Sequence, residues 1–188
     1  MTTWTHLNSP MPQDVFEEEF CRLNNFTCLD AGAYAKVFGS EDSEYVYKIG
    51  YYNTVKRDPY LSYLKAISGK DNPLFPKIRT VTLCRHKYPD MGFVDKFFVV
   101  EMEKLHTFNA NQSSRYFIEL YDALTRHLSY GDEPVTSLMD NFLIKKIPQV
   151  NPVIKLLHRL GEKFCPDWHS SNMMMRADGH LVITDPVD

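Results

Sequence analysis

The chain has 188 residues, of which 44% are hydrophobic and 24% are charged, and its formal net charge is −3 at pH 7. This length suits one globular domain or two small lobes, and the slightly acidic balance gives no sign of a nucleic-acid-binding surface. No apolar run approaches the roughly 20 residues of a membrane span, and the N-terminal residues lack a basic and then apolar secretory signal. We therefore expect a cytoplasmic protein that binds neither membranes nor nucleic acid directly.

The cysteine pattern favours reduced thiols. The chain has 4 cysteines, scattered along its length: Cys21, Cys28, Cys84 and Cys165. A disulfide framework in a secreted domain would be denser. A zinc site could use His158, Cys165 and His169, but no CxxC or HExxH spacing supports it.

The first half of the chain is predicted to consist mainly of strands. Four segments are rich in aromatic and β-branched residues, as strands usually are: 26–38, 45–51, 77–85 and 97–102. Apolar residues at helical spacing predict helices over 15–24 and 58–68. Asp14 is expected to cap the first of these, with Glu17 as its capping-box partner.

The second half is predicted to be mainly helical. Ser114, Thr136 or Ser137, and Asn151 are candidate caps for three helices, each with an apolar stripe. Gly161 is expected to end the third helix, and a short apolar strand follows at 181–183. The pattern predicts an α+β fold of two lobes, with a small, mostly β lobe over 1–103 and a mostly helical lobe over 104–188.

The last quarter of the chain contains a group of residues suited to phosphoryl transfer. Asp167 and Asn172 lie in a predicted loop after a helix, and the strand that follows leads to Asp185. Phosphoryl transfer needs one Asp to accept or orient the acceptor hydroxyl, and an Asn and a second Asp to hold magnesium. Magnesium prefers such hard oxygen ligands. We therefore predict Asp167 as a catalytic residue and Asn172 and Asp185 as metal ligands.

These residues resemble the protein-kinase pattern H-R-D-L-K-x-x-N followed by D-F-G. The resemblance implies a lysine on a strand of the first lobe that contacts the phosphates of ATP. Val46-Tyr-Lys48-Ile has the form of the kinase V-A-I-K segment, so Lys48 is the expected catalytic and nucleotide-binding lysine.

The resemblance also implies a glycine-rich hairpin before that lysine. Leu29-Asp-Ala-Gly-Ala-Tyr-Ala-Lys-Val37 fits the pattern in outline. Gly32 takes the place of the middle glycine, Tyr34 the aromatic tip, Ala35 the third glycine and Val37 the valine over the adenine. ATP and Mg²⁺ are the implied cofactors, with ATP expected between the two lobes.

A hinge strand is the last implied element. Residues 97–103 read as this strand, and backbone groups near Glu101 and Glu103 are expected to meet the edge of the adenine. In the catalytic loop, His169 stands where serine/threonine kinases usually carry a Lys that contacts the transferred phosphate. We expect this imidazole to donate a hydrogen bond there.

One segment gives a more specific resemblance within the protein kinases. It is DWHSSNMMMRADGHLVITDPV, residues 167–187. It looks very like the corresponding stretch of the early serine/threonine protein kinases of T-seven-like bacteriophages. This resemblance implies an enzyme that phosphorylates host bacterial proteins during infection, including components of transcription and translation. Autophosphorylation is also consistent with that class.

Several positions depart from the kinase pattern. Cys165-Pro166 replaces His-Arg, and Pro186-Val187 replaces Phe-Gly. Asp30 stands where the glycine-rich loop pattern has a glycine. No Glu lies in 57–70, where the helix partner of the lysine is expected, and Asp58 is the acid nearest to that role.

Two alternatives remain open at this point. Only Pro-Val-Asp follows Asp185, whereas kinases usually continue into an activation segment and peptide-docking helices. A kinase-fold protein with weak or no catalysis, which binds and inhibits a host protein, would explain this. A small-molecule kinase of the aminoglycoside type shares D-x-x-x-x-N and a downstream Asp, on fold analogy alone.

Overall fold

The computed structural model describes residues 11–52, 58–88, 94–109, 111–129, 149–161 and 172–186. The chain divides into two compact units. The first comprises Met1–Lys56 and Lys77–Lys104, and the second comprises Arg57–Pro76 and Leu105–Asp188. The sequence predicted two lobes with one boundary, after residue 103. In the structure, residues 57–76 belong to the second unit instead.

The first unit contains a five-stranded antiparallel sheet with the strand order β1-β2-β3-β5-β4. The strands are β1 (Thr27–Ala31), β2 (Ala35–Gly39), β3 (Tyr45–Tyr51), β4 (Ile78–Lys87) and β5 (Val94–Glu103). The predicted strand segment 26–38 is therefore two strands, which are joined by a tight turn. β5 pairs with both β3 and β4, and this interior position explains its buried pattern.

Helix α1 (Gln13–Asn24) packs on one face of this sheet. Its aromatic side chains join a buried cluster that contains residues of β2, β3 and β5: Phe16, Phe20, Phe38, Tyr47, Ile49, Phe97 and Val99. Apolar burial of this kind contributes roughly 25 cal/mol per Å² to stability. The helix thus covers the sheet face from which odd-numbered β3 residues project.

The start of α1 differs from its prediction. The helix begins at Gln13 rather than after Asp14, and Asp14 lies inside the first turn. The Gln13 N–H donates to the Asp95 carboxylate of β5 at 2.9 Å. A distant carboxylate therefore satisfies the helix N-terminus, where negative charge is favourable. Glu17 is not a capping-box partner, because it accepts hydrogen bonds from the Gln13 and Lys36 side chains instead.

The second unit combines helices with a small antiparallel sheet of order β6-β7-β8. Its described helices are α2 (Pro59–Ile67), α3 (Arg115–Ser129) and α4 (Val150–Gly161). Its strands are β6 (His106–Thr107), β7 (Met173–Met175) and β8 (Leu181–Ile183). The α+β class is thereby confirmed. The helix predicted from Thr136 or Ser137 lies outside the described residues.

Capping residues mark the starts of α2 and α3, whereas Asn151, the predicted cap of α4, lies inside that helix, which begins at Val150. Asp58 caps α2, because its carboxylate accepts the Leu61 N–H at 2.9 Å, and Pro59 occupies the first turn. Ser114 precedes α3 and accepts the Phe117 N–H through both its carbonyl and its hydroxyl oxygen. The predicted apolar face of α4 is buried, and it consists of Val153, Leu156, Leu157 and Leu160.

Long-range hydrogen bonds explain why residues 57–76 belong to the second unit. The Tyr63 hydroxyl of α2 donates to the Ile183 carbonyl of β8, and the Ile183 N–H donates to the Leu74 carbonyl at 2.9 Å. The Arg176 guanidinium, which follows β7, donates to the carbonyls of Pro73 and Phe75. These bonds join segments that are far apart in sequence. In the part of the chain that is described, no helix is both long and apolar enough to span a bilayer.

Candidate functional site

The β7–β8 hairpin brings the two predicted metal ligands to one end of a single element. Met173 pairs with Ile183, and Met175 pairs with Leu181. The next pair outward is Asn172 with Thr184, because the Thr184 N–H donates to the Asn172 carbonyl at 2.9 Å. Asp185 follows directly, so Asn172 and Asp185 leave the hairpin at the same end.

Thr184 makes a second bond at this point. Its hydroxyl also donates to the Asn172 carbonyl, at 3.1 Å. Both residues are buried, each with 9% of its surface exposed. A carbonyl oxygen has two lone pairs and can accept both bonds. Thr184 therefore ties the backbone of Asn172 to the residue that precedes Asp185.

Tyr63 of α2 anchors the same end of β8. Its ring is fully buried, and its hydroxyl donates to the Ile183 carbonyl. Burial raises the pKa of this hydroxyl well above its ordinary value, and the nearby Tyr60 and Asp185 raise it further. Tyr63 consequently stays protonated and remains a hydrogen-bond donor.

The other end of the hairpin is a tight turn. Gly179 adopts a φ of +84°, and a Cβ there would lie 2.5 Å from the Gln112 carbonyl oxygen. Both features require glycine. The Asp178 carboxylate accepts the His180 N–H at 3.1 Å and lies 2.9 Å from the His180 Nδ1. The turn is therefore fixed independently of the Asn172 end.

The side chains of Asn172 and Asp185, at this end of the hairpin, are of the types that bind Mg²⁺. An amide oxygen and a carboxylate are hard oxygen ligands of the kind that Mg²⁺ takes alongside phosphate oxygens and water. Among the described residues there is no cluster of three or more His, Cys, Asp or Glu side chains that could hold a metal ion. Asp167 and His169 lie outside the described residues, and their roles stay predictions.

Lys48 lies in the first unit, at the centre of β3. It pairs with Val37 of β2 and Val100 of β5. Side chains alternate along a strand, and the neighbouring Tyr47 and Ile49 belong to the cluster beneath α1. Lys48 therefore projects from the opposite sheet face, where it is half-buried beside Val37 and Val100.

A tight hairpin connects β1 to β2 close to this face. The Gly32 N–H donates to the Ala35 carbonyl at 2.9 Å, and Tyr34 at the tip is 69% exposed. Gly32 has room for a side chain, because a Cβ at this position would lie 3.5 Å from its nearest neighbour, the Ala35 oxygen. The carboxylate of Asp30 accepts the Ala31 N–H at 2.9 Å. Packing within the fold thus does not require glycine at position 32.

Gly50 of β3, unlike Gly32, is a glycine that packing requires, although it was not among the predicted site residues. A Cβ at Gly50 would lie 2.7 Å from the Ala35 Cβ, 2.7 Å from the Tyr34 carbonyl oxygen and 2.8 Å from the Phe98 ring. A glycine inside a predicted strand often marks such a close approach. That signal was present in the Ile49-Gly50-Tyr51 segment.

We expect Gly50→Ala to destabilise the protein by about 1–3 kcal/mol, the usual cost of overpacking a filled site. Gly32→Ala is the matched control, and its stability should stay within about 0.5 kcal/mol of the wild type. Urea unfolding of both variants measures the two effects. Equal stability of Gly50→Ala and Gly32→Ala would contradict the close approach at Gly50.

The glutamates of the predicted hinge have structural partners. The Glu101 carboxylate accepts the Tyr47 hydroxyl at 3.0 Å and the Arg79 guanidinium at 3.3 Å. The Glu103 carboxylate accepts the Lys77 N–H at 2.8 Å, and the Glu103 N–H donates to the Lys77 carbonyl at 3.0 Å. The Glu103 amide is therefore already engaged, and so is the next amide, because the Lys104 N–H donates to the Glu44 carbonyl at 2.8 Å.

A buried acid in the first unit pairs with a different lysine of the sheet. The Glu17 carboxylate of α1 lies 2.7 Å from the Lys36 ammonium group. This hydrogen bond and the negative charge of Glu17 raise the pKa of Lys36. Lys36 pairs with Ile49 in the β2–β3 register, so the ion pair lies on the α1 face of the sheet.

No protein-family model matches this sequence, and no curated protein matches it at a significant level. The likeness to phage protein kinases therefore consists of the short motifs quoted above.

Proposed function

We propose that this chain is a kinase-like phosphotransferase with a two-lobed protein-kinase-like fold. It would transfer the γ-phosphate of ATP to serine or threonine hydroxyls of host bacterial proteins during phage infection. The observation that carries the proposal is the β7–β8 hairpin. It places two residues with potential oxygen ligands, the amide of Asn172 and the carboxylate of Asp185, at the same end. Phosphoryl transfer uses this pair of ligands for its magnesium ions.

The first unit supplies a second line of support. A lysine projects from the sheet face opposite α1, and its cross-strand neighbour Val37 is the residue expected over the adenine. The β1–β2 hairpin at Gly32 and Tyr34 joins the strand that carries Val37. Gly32 carries no side chain although space is available, as suits a backbone that approaches a ligand.

Each residue has a distinct role in the proposed reaction. Asn172 and Asp185 would hold Mg²⁺, and Lys48 would contact the phosphates. When bound, Mg²⁺ neutralises charge on the triphosphate. Asp167 would accept or orient the acceptor hydroxyl, and His169 would donate a hydrogen bond to the transferred group.

Binding of Mg-ATP is the first test, because it does not depend on knowing the substrate. ATP with Mg²⁺ at 100 times its dissociation constant should stabilise the protein by about 2.7 kcal/mol. Lys48→Met should weaken this stabilisation, because the phosphates lose a cationic partner. Lys87→Met is the matched control, since Lys87 lies at the end of the edge strand β4 and is exposed.

Thermal unfolding with and without Mg-ATP measures these effects. Absence of stabilisation in the wild type would contradict the proposal and favour a protein that binds and inhibits a host factor. Equal loss in both lysine variants would contradict the role of Lys48. Incubation with labelled ATP and host lysate then separates protein phosphorylation from transfer to small molecules.

A further inference from the structure

Thr184 occupies the position between the two proposed metal ligands. Its N–H and its hydroxyl both donate to the Asn172 carbonyl, at 2.9 Å and 3.1 Å. It is also the residue that directly precedes Asp185. Thr184 is thus hydrogen-bonded to one proposed metal ligand, Asn172, and is the chain neighbour of the other, Asp185.

The regular pairing of β7 with β8 ends just before these residues. The last strand pair is Met173 with Ile183. Beyond it, the two bonds from Thr184 hold the two chain segments together. With only the backbone bond, the segment at Asn172 could rotate relative to the segment at Asp185. The added hydroxyl bond restricts that rotation, and the burial of both residues keeps water from competing for it.

We propose that Thr184 is a positioning residue, which sets the spacing of the Asn172 and Asp185 side chains for Mg²⁺. This inference rests on the proposed function. Residues that orient metal ligands without touching the metal typically contribute 10- to 100-fold to metal affinity. The hydroxyl of Thr184, rather than its volume, is expected to carry the effect.

The test uses Thr184→Val, which keeps the shape of the side chain and removes the hydroxyl. Mg²⁺ is titrated at fixed ATP, and the Mg²⁺ concentration for half-maximal thermal stabilisation is measured. We expect that concentration to rise about 10- to 100-fold in Thr184→Val. Thr184→Ser retains the hydroxyl and should restore a value close to the wild type.

Ser113→Ala is the matched structural control. The Ser113 hydroxyl donates to the Gly179 carbonyl at 3.2 Å, at the opposite end of the same hairpin. This substitution also removes one hydroxyl-to-carbonyl bond, but it leaves the Asn172 end intact. Its melting temperature should fall, whereas its Mg²⁺ requirement should match that of the wild type.

The outcomes separate this inference from the proposed function. A normal Mg²⁺ requirement in Thr184→Val, with stabilisation of the wild type by Mg-ATP, would overturn the role of Thr184 alone. An equal rise in Thr184→Val and Ser113→Ala would also overturn it, because the effect would then be structural. Absence of Mg²⁺-dependent stabilisation in the wild type would overturn both proposals. If Thr184→Val fails to fold, Thr184→Ala carries the same expectation.

Discussion

Asp185→Ala is expected to reduce phosphate transfer by at least about 100-fold. A metal ion contributes several kcal/mol of charge stabilisation to a transition state, and each ~1.4 kcal/mol corresponds to a factor of ten in rate. Removing the carboxylate that is proposed to hold the metal would forfeit much of that contribution. The rate of ³²P incorporation from γ-labelled ATP, into the protein itself or into host lysate, measures the loss.

Asp178→Ala is the control for this substitution. Asp178 lies in the turn at the opposite end of the same hairpin, where it is exposed and bonds to His180. The Asp178→Ala substitution removes a carboxylate from the same hairpin without altering the Asn172 end. Phosphate transfer should therefore continue at close to the wild-type rate. Transfer at an undiminished rate in Asp185→Ala would refute the assignment of this residue as a metal ligand.

Phe20→Ala is expected to have the largest effect on stability, about 3–5 kcal/mol of the free energy of unfolding. The Phe20 ring is fully buried, and its centroid lies 5.7 Å from Phe16, 5.7 Å from Phe26 and 5.1 Å from Tyr47. Truncation leaves a cavity between α1 and the sheet and also removes these ring contacts.

Chemical denaturation compares this variant with Leu23→Ala on the same helix. Leu23 is 40% exposed, so its truncation should cost much less, roughly 0.5 kcal/mol. Both changes place the good helix former Ala in α1, so neither variant is destabilised by poor helix propensity. Similar losses in the two variants would mean that α1 does not depend on its packing against the sheet.

Periodicity and composition predicted which elements form, because these signals are local. The strand predicted over 45–51 is β3, with the same bounds, and the face predicted for α4 is buried. The start of α1 was misplaced, because a carboxylate 82 residues away binds its first amide. β5 begins at Val94, before the apolar segment 97–102 from which it was predicted. Pairing with β4 extends the strand to this residue.

The candidate site was predictable to the extent that it depends on residue type and spacing. Asn172 and Asp185 were identified by motif, and the hairpin register brings them to one end. The link through Thr184 was not predictable, since it depends on the register of two short strands that no periodicity marks. Gly50 carried a local signal, a glycine inside a predicted strand, but only the strand pairing identifies the residues that crowd it, which are Tyr34, Ala35 and Phe98.

The allocation of residues 57–76 to the second unit has a consequence for protein synthesis. The first unit ends at Lys104, so all of its strands leave the ribosome before the C-terminal part of the second unit is made. The Tyr63 hydroxyl, however, bonds to a carbonyl 120 residues downstream. Helix α2 therefore gains this contact with β8 only after a delay of about 6–24 seconds, at about 5–20 residues per second. During that interval its apolar face lacks its final partner and stays exposed to other parts of the growing chain.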